Sequence, residues 1–219
     1  MNNDLEKRWI DLAIKYGANI KSAREQFNLI ATCYNEPHRR YHTLEHIKAL
    51  FKHFDQLKDL LSNSDNVAFA IFFHDIIYDP KSSTNEDDSA ELAKVYLKSL
   101  PDISENMIIK IENMIIATKR HGYNDDMDTA YFLDMDLSIL GRPANVYKIY
   151  AGNIRQEFKH IKNDLEFALA RRDRFLIPFL QREIYQTDFF KTRFEKQAKI
   201  NIQKEREAVN RLSFKYGGQ

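Results

Sequence analysis

Apolar residues recur at intervals of three and four along almost the whole chain, the period of amphipathic helices rather than the two-residue alternation of strands. Period, caps and breaks together predict helices over about residues 4–15, 22–34, 43–61, 66–78, 86–99, 104–119, 129–140, 145–159, 165–175 and 188–212. Thr43 stands where an N-cap belongs, and the polar run Ser62-Asn63-Ser64-Asp65 ends one helix and caps the next. The segment over about 66–78 contains AFAIFFHDII and is apolar on every side, which places it at the centre of the core. Pro80 marks its end, because a residue before proline avoids the helical region. His121-Gly122 and Gly141 read as further stops. In the last helix Phe190, Phe194 and Ala198, spaced by four, form a packing stripe, and Gly217-Gly218-Gln219 reads as a frayed tail.

Six glycines and five prolines in 219 residues leave little punctuation, and no repeat or linker divides the chain. The expectation is therefore all-α: a single domain over residues 1–219. Its motif-bearing core covers about 35–145, and helices over about 145–212 pack on it. A hydrophobic fraction of 43% with 12% aromatics supports a sizeable core and excludes disorder. Thirty-three basic residues against 32 acidic ones leave a formal charge of +1, so there is no electrostatic ground for bulk nucleic-acid binding. A local basic patch for a charged substrate remains open. The single cysteine, Cys33, excludes an intrachain disulfide and a cysteine-rich zinc site, and fits a reducing compartment. The N-terminus carries acids and lacks a signal-like apolar run. No window approaches the roughly 18 apolar residues of a membrane helix. A cytoplasmic protein without membrane contact is expected, and homo-oligomerisation is left open.

Histidine carries most of the chemical information. His38, His42, His46 and His53 fall within one short stretch. His42 and His46 are four apart and share a face if helical, which suits two metal ligands or one ligand beside a proton donor. His53 reads as a core or supporting residue, and His38 and His160 as surface residues. His74-Asp75 lies inside the most apolar segment, where an aspartate must be paired, protonated or bound to a cation because desolvation costs several kcal/mol. A third acid-bearing apolar segment is Phe132-Leu133-Asp134-Met135-Asp136-Leu137. Its two aspartates lie about 200° apart around a helix, so only one can face a given point, and spacing alone leaves the choice open. Two imidazoles and two carboxylates suit a divalent ion, with Mn, Zn, Fe, Ni, Co or Mg as candidates.

The ordered set YHTLEHI, FFHDIIYD, NEDDSAELA, ATKRHG and LDMDLSILG resembles the HD superfamily of metal-dependent phosphohydrolases, in particular a bacterial family of HD-type phosphohydrolases known from sequence. The likeness is firm over about residues 35–145. It implies an HD-domain helical bundle holding one divalent ion through His46, His74, Asp75 and Asp136, with Asp136 rather than Asp134 as the distal ligand. It implies catalytic roles for Asp75, beside the attacking water, and for His42, which corresponds to the histidine that protonates the leaving oxygen in related phosphodiesterases. For His121 the likeness implies contact with a second metal or with a small phosphorylated substrate, possibly a nucleotide; Arg39, beside the YH motif, and Lys119, at a helix end, are cations that suit a phosphate or equally a solvated surface, and Glu86 is a further candidate contact. Glu86 and Asp79 read equally well as acids near bound water or as helix-terminal charges. Two-metal members carry further histidines after the HD pair, and none lies here between His74 and His121. That departure favours one ion and weighs against the alternative of a di-iron oxygenase. The other alternative is a non-catalytic module that binds a nucleotide or similar ligand.

Overall fold

The computed structural model describes residues 3–216, with side chains through residue 213, and the tail 217–219 lies outside the described residues. All regular structure among the described residues is helical, as the period of the apolar positions requires. No described helix is long and apolar enough to cross a membrane. The chain forms two compact units, Met1–Phe132 and Leu133–Gln219.

The first unit holds α1 (Asn3–Lys15), α2 (Ile20–Tyr34), α3 (Leu44–Leu57), α4 (Ser64–Phe73), α5 (Asn85–Leu97), α6 (Glu105–Ala117) and the start of α7 (Met127–Leu137). Its centre is α4, in which every residue from Asn66 to Phe73 is buried, matching the all-round apolar segment in the sequence. Helices α3, α5 and α6 pack against it. Trp9 of α1 meets Phe69, Phe72 and Phe73 edge-on at 6.0, 5.0 and 5.6 Å. Such pairs add about 0.5–1.5 kcal/mol each beyond area burial. The indole N–H donates to the Ala23 carbonyl and so ties α2 into the same core.

Asn19 and Ser104 cap α2 and α6 by accepting first-turn N–H bonds. Thr43 occupies the N-cap position of α3 without making a side-chain bond. At the head of α4, Asn63 makes no side-chain cap either. The Asp128 carboxylate instead receives the Ser62 and Asn63 N–H groups at 2.8 and 2.7 Å.

One boundary departs from expectation. Helix α4 ends at Phe73, and residues 74–77 form turns, whereas the apolar pattern predicts helix as far as Tyr78. Ile76 N–H closes a tight turn onto the Phe73 carbonyl at 3.1 Å. The Asp75 and Ile76 carbonyls accept from the Arg39 guanidinium at 2.6 and 2.8 Å, and Ile77 N–H donates to Ser89 Oγ at 3.1 Å. Side chains distant in sequence thus satisfy the backbone that a longer helix would have satisfied itself.

The second unit holds the end of α7, a 3₁₀ turn (Ser138–Gly141), α8 (Ala144–Glu157), α9 (Asp164–Arg171), α10 (Ile177–Leu180), α11 (Asp188–Phe190) and α12 (Lys196–Tyr216). A π-helical turn joins α9 to α10 and another joins α11 to α12, so the predicted helix over 188–212 exists with a one-turn bulge. Helix α12 packs against α9, α10 and the Ser138–Gly141 turn. Phe190 and Ala198 of the predicted stripe are wholly buried. A Cβ on Gly141 would lie 2.5 Å from Phe194 Cβ and 2.7 Å from its carbonyl oxygen, so only glycine fits that approach. The nearly buried Arg171 pairs with Glu205 at 2.6 Å, and Tyr147 donates to the same carboxylate at 2.5 Å.

Candidate metal centre

In the first unit, α3 and the end of α4 bring His46, His74 and Asp75 together. His46 sits on the first turn of α3 and is 4% exposed, while His74, capping α4, is 1% exposed. Their Nε2 atoms lie 3.1 Å apart. Asp75 Oδ2 is 3.1 Å from His74 Nε2 and 3.6 Å from His46 Nε2. His74 Nδ1 lies 3.0 Å from the Ile71 carbonyl, which can only accept a hydrogen bond; the contact therefore favours the Nδ1–H tautomer, in which Nε2 keeps its lone pair on the side of the cluster.

The chemistry of this set fits a cation. Two cis donors around an ion at about 2.1 Å are roughly 3.0 Å apart in octahedral geometry and somewhat farther apart in tetrahedral geometry. The two separations of 3.1 Å fall in that range and the third, 3.6 Å, lies just beyond it, and a point about 2 Å from all three donor atoms exists. A backbone carbonyl that orients the metal-facing imidazole is the usual supporting contact of a histidine ligand.

The break in α4 makes this convergence possible. Adjacent residues of a continuous helix point about 100° apart. Turning the chain after Phe73 swings Asp75 back towards its neighbour's imidazole.

His42 lies in the loop before α3, so the expected shared helical face with His46 does not exist. The two rings are nevertheless 6.0 Å apart. Tyr78 and Tyr41 flank His42, with ring centroids at 4.3 and 5.0 Å, and Tyr41 also lies 4.8 Å from the His46 ring. These tyrosines were not singled out from the sequence. The signal for Tyr41 was its place inside the YH motif, and for Tyr78 its place just beyond FFHDII.

Arg39, expected at a substrate phosphate, has a side chain shut from solvent. Its nitrogens bond the carbonyls of Asp75 and Ile76 and the Glu36 carboxylate, and its plane lies between the rings of Tyr34 and Tyr78 at 5.1 and 5.4 Å. It braces the turn that carries His74 and Asp75. Tyr34, also buried, donates to the Phe72 carbonyl at 3.0 Å; burial foremost, with the nearby Asp75 carboxylate, pushes its phenol well above the ordinary range.

Lys119 forms an exposed ion pair with Asp87, which holds its ammonium above the usual lysine range. Glu86 is half-buried in the first turn of α5, where a carboxylate complements the helix dipole. Asp79 bonds Lys81 N–H and, through its backbone, Asn85, so it shapes the loop before α5. His121 is half-buried and adopts a left-handed φ of 46°, so the predicted His-Gly stop places its strained residue at the histidine and not at Gly122. His53 is half-buried on α3, and His160 is exposed as expected. His38, expected on the surface, is half-buried and contacts the Tyr78 carbonyl at 2.7 Å through Nε2.

In the second unit, the two aspartates of α7 are separated by their surroundings. Asp134 is fully buried, and its carboxylate accepts from Gln186 N–H, Thr187 N–H and Thr187 Oγ1 at 2.7–3.1 Å. Burial pushes its carboxyl up to about 6 against the pull of those donors. Asp134 is thus occupied in anchoring the start of α11. Asp136 is half-buried, on the face that Phe132 occupies one turn earlier in the same helix. Within the first unit, Phe132 packs edge-on against the His74 ring at 5.6 Å.

No protein-family model, no curated protein and no solved structure matches the chain.

Proposed function

We propose that the chain is a metal-dependent phosphohydrolase acting on a small phosphorylated molecule, a nucleotide or another phosphoester. The observation that carries this reading is the convergence of His46 Nε2, His74 Nε2 and Asp75 Oδ2 at coordination spacing, with both imidazoles buried and the carboxylate largely so. Asp136 is the proposed fourth ligand, on the strength of the LDMDLS motif and because Asp134 is already committed to Gln186 and Thr187. One divalent ion is proposed, since the stretch from Asn85 to Asp88 has acids where two-metal relatives carry histidine. When bound, such an ion supplies Lewis-acid activation of water and polarises a phosphoryl oxygen. Asp75 orients the incoming water and accepts its proton. His42, held between two tyrosines near His46, donates a proton to the departing oxygen. The lone Cys33 suits a cytoplasmic setting.

The test is elemental analysis of purified protein followed by a phosphoester panel with Mn, Mg, Ni and Co. About one metal per chain is expected, with hydrolysis that is lost in His74→Ala and Asp75→Ala. Activity that survives both substitutions refutes the proposal. Two irons per chain point to an oxygenase instead, and tight nucleotide binding without turnover points to a ligand-binding module.

A further inference from the structure

The break after Phe73 opens two places in the hydrogen-bond ladder of α4. In a continuous helix the Asp75 N–H would donate to the Ile71 carbonyl, and the Phe72 carbonyl would accept from the Ile76 N–H. Here the His74 imidazole nitrogen lies 3.0 Å from the Ile71 carbonyl, and the Ile76 N–H donates to the Phe73 carbonyl at 3.1 Å. Both usual partners are thus engaged elsewhere. The gap adjoins the wholly buried Phe72 and Phe73, where a backbone group left unmet is costly.

One side chain serves both places. Tyr34, the last residue of α2, is wholly buried, and its hydroxyl donates to the Phe72 carbonyl at 3.0 Å. The Asp75 N–H is directed at the same hydroxyl oxygen. A phenol has one proton to give and lone pairs to receive, so a single oxygen closes the ladder on both sides of the break. The Tyr34 ring lies 5.1 Å from the Arg39 guanidinium, which bonds the Asp75 and Ile76 carbonyls. Asp75 is therefore held at its N–H by Tyr34 and at its carbonyl by Arg39. Main-chain anchors on both sides of its Cα fix where its side chain begins.

We infer, on the reading of His46, His74 and Asp75 as metal ligands, that Tyr34 is a positioning residue of the metal centre. Its hydroxyl, inserted at the end of α4, fixes the peptide between His74 and Asp75 and so sets the spacing of their ligand atoms. Tyr34 itself touches neither ion nor substrate.

The experiment compares full-length wild type, Tyr34→Phe and Ile30→Val. Phenylalanine keeps the ring and removes only the hydroxyl. Ile30 is wholly buried one turn earlier on α2, so its variant controls for loss of stability without loss of that bond. The first measurement is amide hydrogen exchange in the metal-free chain. The Asp75 amide should exchange about tenfold faster in Tyr34→Phe than in Ile30→Val, the scale of one lost hydrogen bond. The second is calorimetric titration with Mn, Ni and Co. Tyr34→Phe should bind the ion about tenfold more weakly than wild type, the scale for losing a group that orients a ligand, and Ile30→Val should match wild type. Equal exchange at Asp75 in the two variants overturns the inference. So does wild-type affinity in Tyr34→Phe, or an equal loss of affinity in Ile30→Val. Each of these results leaves the metal centre standing, provided that wild type binds the ion and His74→Ala does not. A wild-type chain that takes up none of the three ions overturns the metal centre, and the positioning role of Tyr34 falls with it.

Discussion

Replacing Arg39 by methionine tests whether a buried guanidinium sets the geometry of the His74-Asp75 turn. Arg39 donates to the Asp75 and Ile76 carbonyls at 2.6 and 2.8 Å, with a longer bond of 3.3 Å to the His42 carbonyl. Charge-assisted bonds of this kind are worth about 1.5–3 kcal/mol each, and truncation leaves the carbonyls without a donor. Two good bonds give roughly 3–6 kcal/mol. Release of the buried charge offsets part of this, and methionine refills much of the space between Tyr34 and Tyr78. The Glu36 partner is 42% exposed and adds little. The net expectation is a loss of about 3–4 kcal/mol. Trp9 is the single tryptophan and packs on α4, so its fluorescence in urea reports unfolding of the first unit. With a slope of about 1.5–2 kcal/mol/M, the midpoint should fall by about 2 M. Arg39→Lys keeps the charge but reaches only one carbonyl, and should lose about half as much. Metal affinity should fall in Arg39→Met although His46, His74 and Asp75 are intact. A methionine variant within about 1 kcal/mol of wild type, with undiminished metal binding, refutes the bracing role.

Three further outcomes follow from local packing. Tyr96 buries a hydroxyl with no partner among the described residues, and burial raises its phenol to about 12, so the folded state keeps a proton that the unfolded chain loses above pH 10. Stability therefore falls as pH rises from 10 to 12, and Tyr96→Phe, neutral or stabilising by up to about 1 kcal/mol at pH 8, should gain a further 1–1.5 kcal/mol or so over wild type at pH 11; chemical denaturation at both pH values checks this. Gly141→Ala drives a methyl into the Phe194 backbone and should cost at least about 2 kcal/mol, measured as a lowered midpoint of the transition reported by far-ultraviolet circular dichroism. Ser89→Ala removes the acceptor of the Ile77 N–H and should cost about 1 kcal/mol while weakening metal retention, read by elemental analysis after dialysis.

Helix content was legible because it rests on a local property, the period of apolar positions. Predicted and observed bounds agree within two residues for α1, α2, α5, α6 and α8. The stretch from Phe69 to Phe73, apolar on every side, announced its central place without any knowledge of its neighbours. What the sequence could not disclose depends on partners far along the chain. Nothing local distinguishes Arg39, spent on backbone carbonyls 36 and 37 residues away, from a solvated arginine beside Arg40. Asp134 and Asp136 are likewise equivalent in a helical pattern. The Thr187 N–H and hydroxyl, more than 50 residues later, mark Asp134 as the anchoring one.

The same reasoning explains why the HD dipeptide lies past the end of its helix. Two adjacent side chains can serve one cation only if the backbone between them leaves the helical path, and doing so exposes carbonyls and an N–H that the helix had satisfied. A buried chain tolerates that break only when other groups take over those bonds. Here Arg39 takes the Asp75 and Ile76 carbonyls, Ser89 takes the Ile77 N–H, and the Ile71 carbonyl orients the His74 ring. The geometry of the candidate ligands is therefore a property of this backbone arrangement as much as of the side chains themselves. Substitutions that leave every candidate ligand in place but restore helical continuity after Phe73 should separate His74 from Asp75 and lower metal affinity more than they lower helix content.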